Sequence, residues 1–149
     1  MALFSFIELA ADDDSKWRFT TKETIISVGD IHGAYNNFVN IMQKAQLLDK
    51  NNNWIAGKTH FVSTGDILDR GPDSRKILDL LMKLEKQAVK SGGKLHILLG
   101  NYEVMNLIGD RRYISNKEYA AFIAEEPTEL RAKQFDKFLS IKNLTSNPK

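Results

Sequence analysis

Three times in this chain a short apolar run breaks at a glycine that is followed at once by an acidic or amide side chain. Residues 24–28 precede Gly29-Asp30-Ile31-His32-Gly33, and residues 60–63 precede Gly65-Asp66-Ile67-Leu68-Asp69-Arg70-Gly71. Residues 95–99 precede Gly100-Asn101-Tyr102-Glu103. Runs this short and this continuously apolar read as strands covered on both faces. Between the first two, Phe38, Val39, Met42, Ala45 and Leu48 recur at helical spacing until Lys50-Asn51-Asn52-Asn53 ends the helix. Between the second and third, Ile77, Leu78, Leu81, Leu84 and Ala88 do the same, with Pro72-Asp73-Ser74 as the start and Gly92-Gly93 as the stop. The pattern predicts an α/β fold: a β-α-β-α-β parallel sheet with flanking helices and right-handed crossovers. Each signature then sits at a strand's carboxyl end, the rim where open α/β sheets bind ligands.

At 149 residues, 42% hydrophobic and 27% charged, the chain has the size and balance of one ordinary globular domain with a real core. Lys and Arg number 21 against 19 Asp and Glu, and the basic residues are scattered, which does not argue for nucleic acid. With no cysteine there is neither a disulfide framework nor a thiolate zinc site. Met1 to Ala11 is apolar but lacks a leading Lys or Arg, contains Glu8 and runs into Asp12-Asp13-Asp14, a poor signal peptide. No stretch approaches the roughly 20 apolar residues of a membrane span. The expectation is a soluble chain, cytoplasmic rather than exported, with no membrane partner.

Past Leu107 the text turns helical and charged. Ser115 to Glu118 is spaced as a capping box, Pro127-Thr128 breaks the run, and Leu130, Phe135, Phe138 and Leu139 share a further helical face. The expected division is a leader at 1–23, a folded domain at 24–142 and a polar tail at 143–149, where Asn143-Leu144-Thr145 matches a glycosylation acceptor by accident.

The three signatures resemble those of the calcineurin-like metallophosphoesterases of the phosphoprotein phosphatase family, GD-x-HG, GD-x-x-DRG and GNHE. The flanking GPDSRKILDLLMKLEK and VMNLIGDRRYIS most resemble the Shewanella-like protein phosphatases. The similarity runs over residues 25–122 and covers only the first half of that family's catalytic domain. The resemblance therefore implies half of a metallophosphoesterase α/β sandwich, a truncated domain whose uncovered sheet would expose apolar surface and self-associate.

By position in the family pattern, Asp30 and His32 would bind a first divalent metal, Asp66 would bridge two, and Asn101 would bind the second and the phosphate. Arg70 would clamp phosphate oxygens through its planar fork, and Asp69 would orient the general acid. The Asp, His and Asn chemistry independently suits manganese, iron or zinc. The implied partner is a phosphorylated substrate, a phosphoprotein in the family's case.

Taken singly, each signature has a bland reading: Gly29–Gly33 as turn punctuation, the Asp69-Arg70 pair as a local ion pair, Asn101 as a turn residue. Three in family order at successive strand ends are not accidental. Two departures fall on chemistry. Tyr102 stands where the family has its general-acid histidine, and Lys149 comes before the region that supplies two more metal-binding histidines. His60 and His96 lie several residues before their signatures and should occupy the core or a sheet face. Glu103 reads only as helix-start electrostatics. The expectations are a metal-dependent phosphomonoester hydrolase with weak or absent turnover, or alternatively a non-catalytic phosphate- or partner-binding pseudophosphatase module. Dinucleotide binding is disfavoured, since Gly29–Gly33 lacks G-x-G-x-x-G spacing and puts an acid where pyrophosphate would sit.

Overall fold

A computed structural model describes residues 18–122 together with Glu129, Lys133 and Lys137. The apolar leader, the Pro127-Thr128 break, the face of Leu130, Phe135, Phe138 and Leu139, and the tail at 143–149 lie outside the described residues.

Strands β1 (Ile25–Val28), β2 (His60–Ser63) and β3 (Lys94–Ile97) form a parallel sheet in the order β1-β2-β3. Ile25 lies beside His60 and His60 beside Lys94, while Ser27 lies beside Val62 and Val62 beside His96. Helix α1 (Tyr35–Lys44) connects β1 to β2, and α2 (Ser74–Lys90) connects β2 to β3. Two shorter helices, α3 (Asn101–Leu107) and α4 (Asn116–Phe122), follow β3. Asp73 and Ser91 flank α2, and Gly92 takes φ +80° beyond it, so the start and stop signals act where the sequence placed them. Among the described residues no helix is long and apolar enough to cross a membrane.

One core lies between the sheet and α1 and α2, built from Phe38, Met42, Phe61, Ile77, Leu84 and Leu95. Each large apolar side chain buried there stabilises the fold by about 1.5–3 kcal/mol. Among the described residues the sheet is covered on one face, not two. Phe61 and Leu95 are buried, whereas Ile25 is exposed and His60, Val62 and His96 are only half-buried. The strands do alternate; the alternation is masked in the sequence because the open face also carries Ile25 and Val62. A second difference is the end of α1, which stops at Lys44. Leu47 and Leu48 are buried instead by a loop, in which Leu48 bridges Trp54 and Asp49 Oδ1 accepts the amides of Asn51 and Asn53. Their apolar character extends the helical pattern past the true helix end.

Candidate metal centre

Each strand passes its signature to a loop at its carboxyl end, and two glycine contacts draw the three loops together. Gly33, at φ +65°, lies against Gly71, where a Cβ would sit 2.7 Å from the Gly71 carbonyl oxygen. Gly65, at φ +96°, meets Gly100 backbone to backbone, and a Cβ on Gly100 would collide with Asp66. Only glycine permits these approaches. Main-chain bonds complete the seam: His32 N–H donates to the Asp66 carbonyl at 2.9 Å, Gly33 N–H to that of Ile67 at 2.9 Å, and Gly71 N–H to that of His32 at 3.0 Å.

The seam brings ligand atoms of Asp30, His32 and Asp66 within 4.8 Å of one another. His32 Nε2 lies 3.7 Å from Asp30 Oδ1, and Nδ1 lies 3.4 Å from the Leu68 carbonyl. A carbonyl only accepts, so Nδ1 carries a hydrogen and Nε2 is the ring nitrogen turned toward Asp30, the orientation of a metal-binding imidazole with an outer partner. The terminal atom of the Asn101 amide lies 3.1–3.2 Å from both Asp66 carboxylate oxygens. Turned one way the amide donates to that carboxylate; turned the other, its oxygen joins the carboxylate as a second ligand. An Asp, His, Asp and Asn donor set fits a divalent transition metal. The Asp30 side chain is 82% exposed, so the cluster opens to solvent.

Of the seven non-glycine residues with left-handed backbone among the described ones, five are Asp30, His32, Asp66, Asp69 and Arg70. Each such residue costs of order 1–3 kcal/mol and persists only where its surroundings fix it. Left-handed backbone is thus concentrated on the signature residues of this rim.

Glu103 does much of the fixing. Its Oε2 accepts from the amides of Asp66 (2.7 Å) and Gly100 (2.7 Å), and its Oε1 from those of Ile67 (2.8 Å) and Leu68 (3.0 Å). One carboxylate thus ties the Asp66 loop to the Asn101 loop. Burial raises its pKa, the four amides lower it by more, and the net shift is downward. Tyr102 N–H donates to Asp66 Oδ1 at 3.1 Å, aiming the start of α3 at the same carboxylate.

Arg70 and Tyr102 are joined directly. Arg70 Nε donates to the Tyr102 hydroxyl oxygen at 2.7 Å, and Nη2 donates to the same oxygen. The Tyr102 ring stands edge-on to His32 at 4.9 Å and to Tyr113 at 5.4 Å. Asp69 is buried, with Oδ1 accepting from Asn106 Nδ2 at 2.9 Å and Oδ2 without a hydrogen-bond partner among the described residues. Asp69 N–H donates to Glu118 at 3.3 Å. Burial pushes the Glu118 carboxyl up, Ser74 and the Asp69 amide pull it partly back, and the Asp69 charge adds to the rise. The expected capping box is therefore half made: Ser115 Oγ accepts from the Glu118 amide at 3.2 Å, but the Glu118 side chain turns inward to Asp69.

Residues 23–146 match the calcineurin-like phosphoesterase family. The chain belongs to the calcineurin-like phosphoesterases. It is 39% identical over 105 residues to Shewanella-like protein phosphatase 2 of Arabidopsis thaliana, covering 70% of this chain and 27% of that one. A symmetrical bis(5'-nucleosyl)-tetraphosphatase of Wigglesworthia glossinidia brevipalpis is 35% identical over 82 residues, covering 54% of this phosphoesterase and 25% of the relative. Among solved structures, the cold-active protein-tyrosine phosphatase of a psychrophilic Shewanella superposes with a TM-score of 0.65 at 35% identity, covering 70% of this chain and 32% of that one. The phosphoesterase chain thus spans about a quarter to a third of the length of these relatives. Enzymes of this family work with divalent metals, and the Asp30, His32 and Asp66 cluster is a candidate site for one.

Sequence reasoning brought Asp30, His32, Asp66 and Asn101 to one rim, and the structure gathers them there. It missed the tying role of Glu103 and the inward turn of Glu118. An acid three residues after Gly100 signals a helix start, but nothing local says that its partners lie 35–37 residues back.

Proposed function

We propose that this chain carries a two-metal phosphoester-hydrolase site of the protein-phosphatase type, directed at phosphorylated protein side chains, with turnover weakened by Tyr102. The observation that carries it is the convergence of Asp30, His32 and Asp66 within 4.8 Å, with the Asn101 amide against Asp66. Asp30 and His32 would hold one cation, Asn101 a second, and Asp66, which faces both groups, would bridge them; manganese, iron or zinc suit these donors. Bound there, the cations supply charge neutralisation and a nucleophilic water. Arg70 would set the phosphoryl oxygens through its planar donors. Tyr102 accepts from Arg70 but keeps its own hydroxyl hydrogen, which can bond a leaving oxygen. Near neutral pH phenols are poorer general acids than imidazoles, so the step that this group assists should be slow. The 39% identity over 105 residues to a protein phosphatase, against 35% over 82 to a dinucleoside tetraphosphatase, favours the phosphoprotein.

With manganese added, Asp66→Asn should lower p-nitrophenyl phosphate hydrolysis at least a hundredfold against the unsubstituted chain. Equal rates would remove the hydrolase reading.

A second reading, phosphate binding without turnover, is favoured by one observation: Tyr102 replaces the family's imidazole yet Arg70 is kept, its guanidinium fork on the hydroxyl of Tyr102, whose ring packs edge-on to His32. Charge-assisted hydrogen bonds of about 1.5–3 kcal/mol imply that Arg70→Ala weakens phosphate binding by tenfold or more, read by calorimetric titration. Phosphate affinity that Arg70→Ala leaves unchanged would count against the binding module.

A further inference from the structure

Asp69 and Arg70 are consecutive, and both hold left-handed backbone, at φ +66° and +62°. Residues with side chains keep that conformation only where their surroundings fix it. Part of the hold comes from the signature loops, since Gly71 N–H reaches the carbonyls of Asp69 (2.7 Å) and His32 (3.0 Å). The amides of Asp69 and Arg70 themselves go elsewhere, to the stretch Tyr113–Glu118. Arg70 N–H donates to the Tyr113 carbonyl at 3.0 Å, and Asp69 N–H donates to Glu118 Oε1 at 3.3 Å.

Glu118 is built into that place. It is buried in the first turn of α4, where Ser115 Oγ accepts its amide at 3.2 Å. Helix α4 packs on α2, with the Arg75 guanidinium 5.4 Å over the Phe122 ring. Ser74, buried at the start of α2, adjoins the same carboxyl. The aim of Arg70 depends on this hold. A left-handed residue that relaxes to right-handed backbone swings its Cα–Cβ bond, and the fork at the end of the side chain moves with it. In the structure that fork meets Tyr102: Nε donates to the hydroxyl at 2.7 Å, and the Tyr102 ring stands 4.9 Å from His32.

We propose that Glu118 is a positioning residue, which locks the Asp69–Arg70 turn through the Asp69 amide and so aims the Arg70 guanidinium, acting as a hydrogen-bond acceptor rather than as a charge. The role rests on the reading of Arg70 as the phosphate clamp. Burial pushes the Glu118 carboxyl above its ordinary value, Ser74 and the Asp69 amide oppose the rise, and the Asp69 charge adds to it, so a neutral acceptor suits the place.

Amide hydrogen exchange on the full chain tests this without metal or substrate. In Glu118→Ala the Asp69 and Arg70 amides should exchange roughly tenfold faster or more, relative to the His32 and Gly33 amides of the same chain. Those two bond the Asp66 and Ile67 carbonyls and report general loosening. The Arg70 Nε–H should quicken with the Asp69 and Arg70 amides. Glu118→Asp keeps the charge but is one methylene short, and should behave like alanine. Glu118→Gln keeps an oxygen at full length and should restore most of the protection. Ser115→Ala loosens α4 but leaves the acceptor, so it should move these amides less than Glu118→Ala does. Equal acceleration at all four backbone amides, an unmoved Arg70 Nε–H, a Glu118→Gln chain as loose as alanine, or a Ser115→Ala chain that matches Glu118→Ala would each overturn the proposal. Calorimetric titration with inorganic phosphate reads the consequence: affinity should fall tenfold or more in Glu118→Ala and recover in Glu118→Gln. Unchanged affinity in Glu118→Ala would overturn the positioning role and leave Arg70 as the clamp. No phosphate binding by the unsubstituted chain would instead remove the clamp reading, and this role with it.

Discussion

Replacing Glu103 by alanine should destabilise the fold by about 3–5 kcal/mol, because four backbone amides lose one shared charged acceptor and a buried unpaired donor costs about 1–3 kcal/mol. The donors sit at a solvent-open rim, so water offsets part of that sum. At the usual scaling for a chain of this size the thermal midpoint falls by roughly 6–20 °C. Glu103→Gln separates tying from mere stability. It keeps one oxygen for the Asp66 and Gly100 amides or for those of Ile67 and Leu68, but turns an NH2 group against the other two. The gap between the Asp66 and Asn101 loops then widens, and manganese affinity should fall tenfold or more even where the variant is fully folded. Unchanged manganese affinity in a folded Glu103→Gln chain would reduce Glu103 to a stabilising role.

The same carboxylate predicts an acid limb. Its folded pKa lies below its ordinary value near 4.5. Its stabilisation is therefore complete above that value and is lost as pH falls below it, through the lowered folded pKa. Urea midpoints measured from pH 6 downward should decline through this window, and Glu103→Gln should flatten that decline.

What the sequence made legible, and what it hid, separates along physical lines. Local signals were readable: Asp73 and Gly92 bound α2, and apolar runs ending in glycine marked three strands whose tips converge. The Gly33–Gly71 and Gly65–Gly100 contacts explain why the signatures are glycine-framed, but which glycines meet is a fact of three dimensions. Left-handed backbone at Asp30, His32 and Asp66 carries no local mark, since surrounding structure imposes it. The sheet face left open among the described residues was hidden because Ile25 and Val62 look like interior residues in any strand. Leu48 misled in the same way, as helical spacing continued into a loop that buries it by other means.

Tyr102→His should restore turnover, and the substrate dependence of the gain identifies the cause. Asn106 Nδ2 donates both to Asp69 Oδ1 and to the Tyr102 carbonyl, so an imidazole at this position would enter the surroundings of Asp69, whose buried Oδ2 has no partner among the described residues, and would release Arg70 from the phenol oxygen. An Asp–imidazole pair favours the protonated ring, as a general acid requires. General acid catalysis contributes about a hundredfold to ten-thousandfold. That full factor is expected only where the leaving group needs a proton. Phenyl phosphate and phosphoserine peptides leave as strongly basic oxyanions and should gain a hundredfold or more with manganese present. The weakly basic nitrophenolate needs little help, so p-nitrophenyl phosphate should gain less than tenfold. Tyr102→Phe is the control, because it frees Arg70 without supplying an acid: phosphate should bind more tightly and phenyl phosphate turnover should stay low. Equal gains on both substrates in Tyr102→His would assign the effect to the freed guanidinium instead of the acid. No gain on either, in a folded and metal-loaded variant, would mean that Tyr102 is not what limits this site.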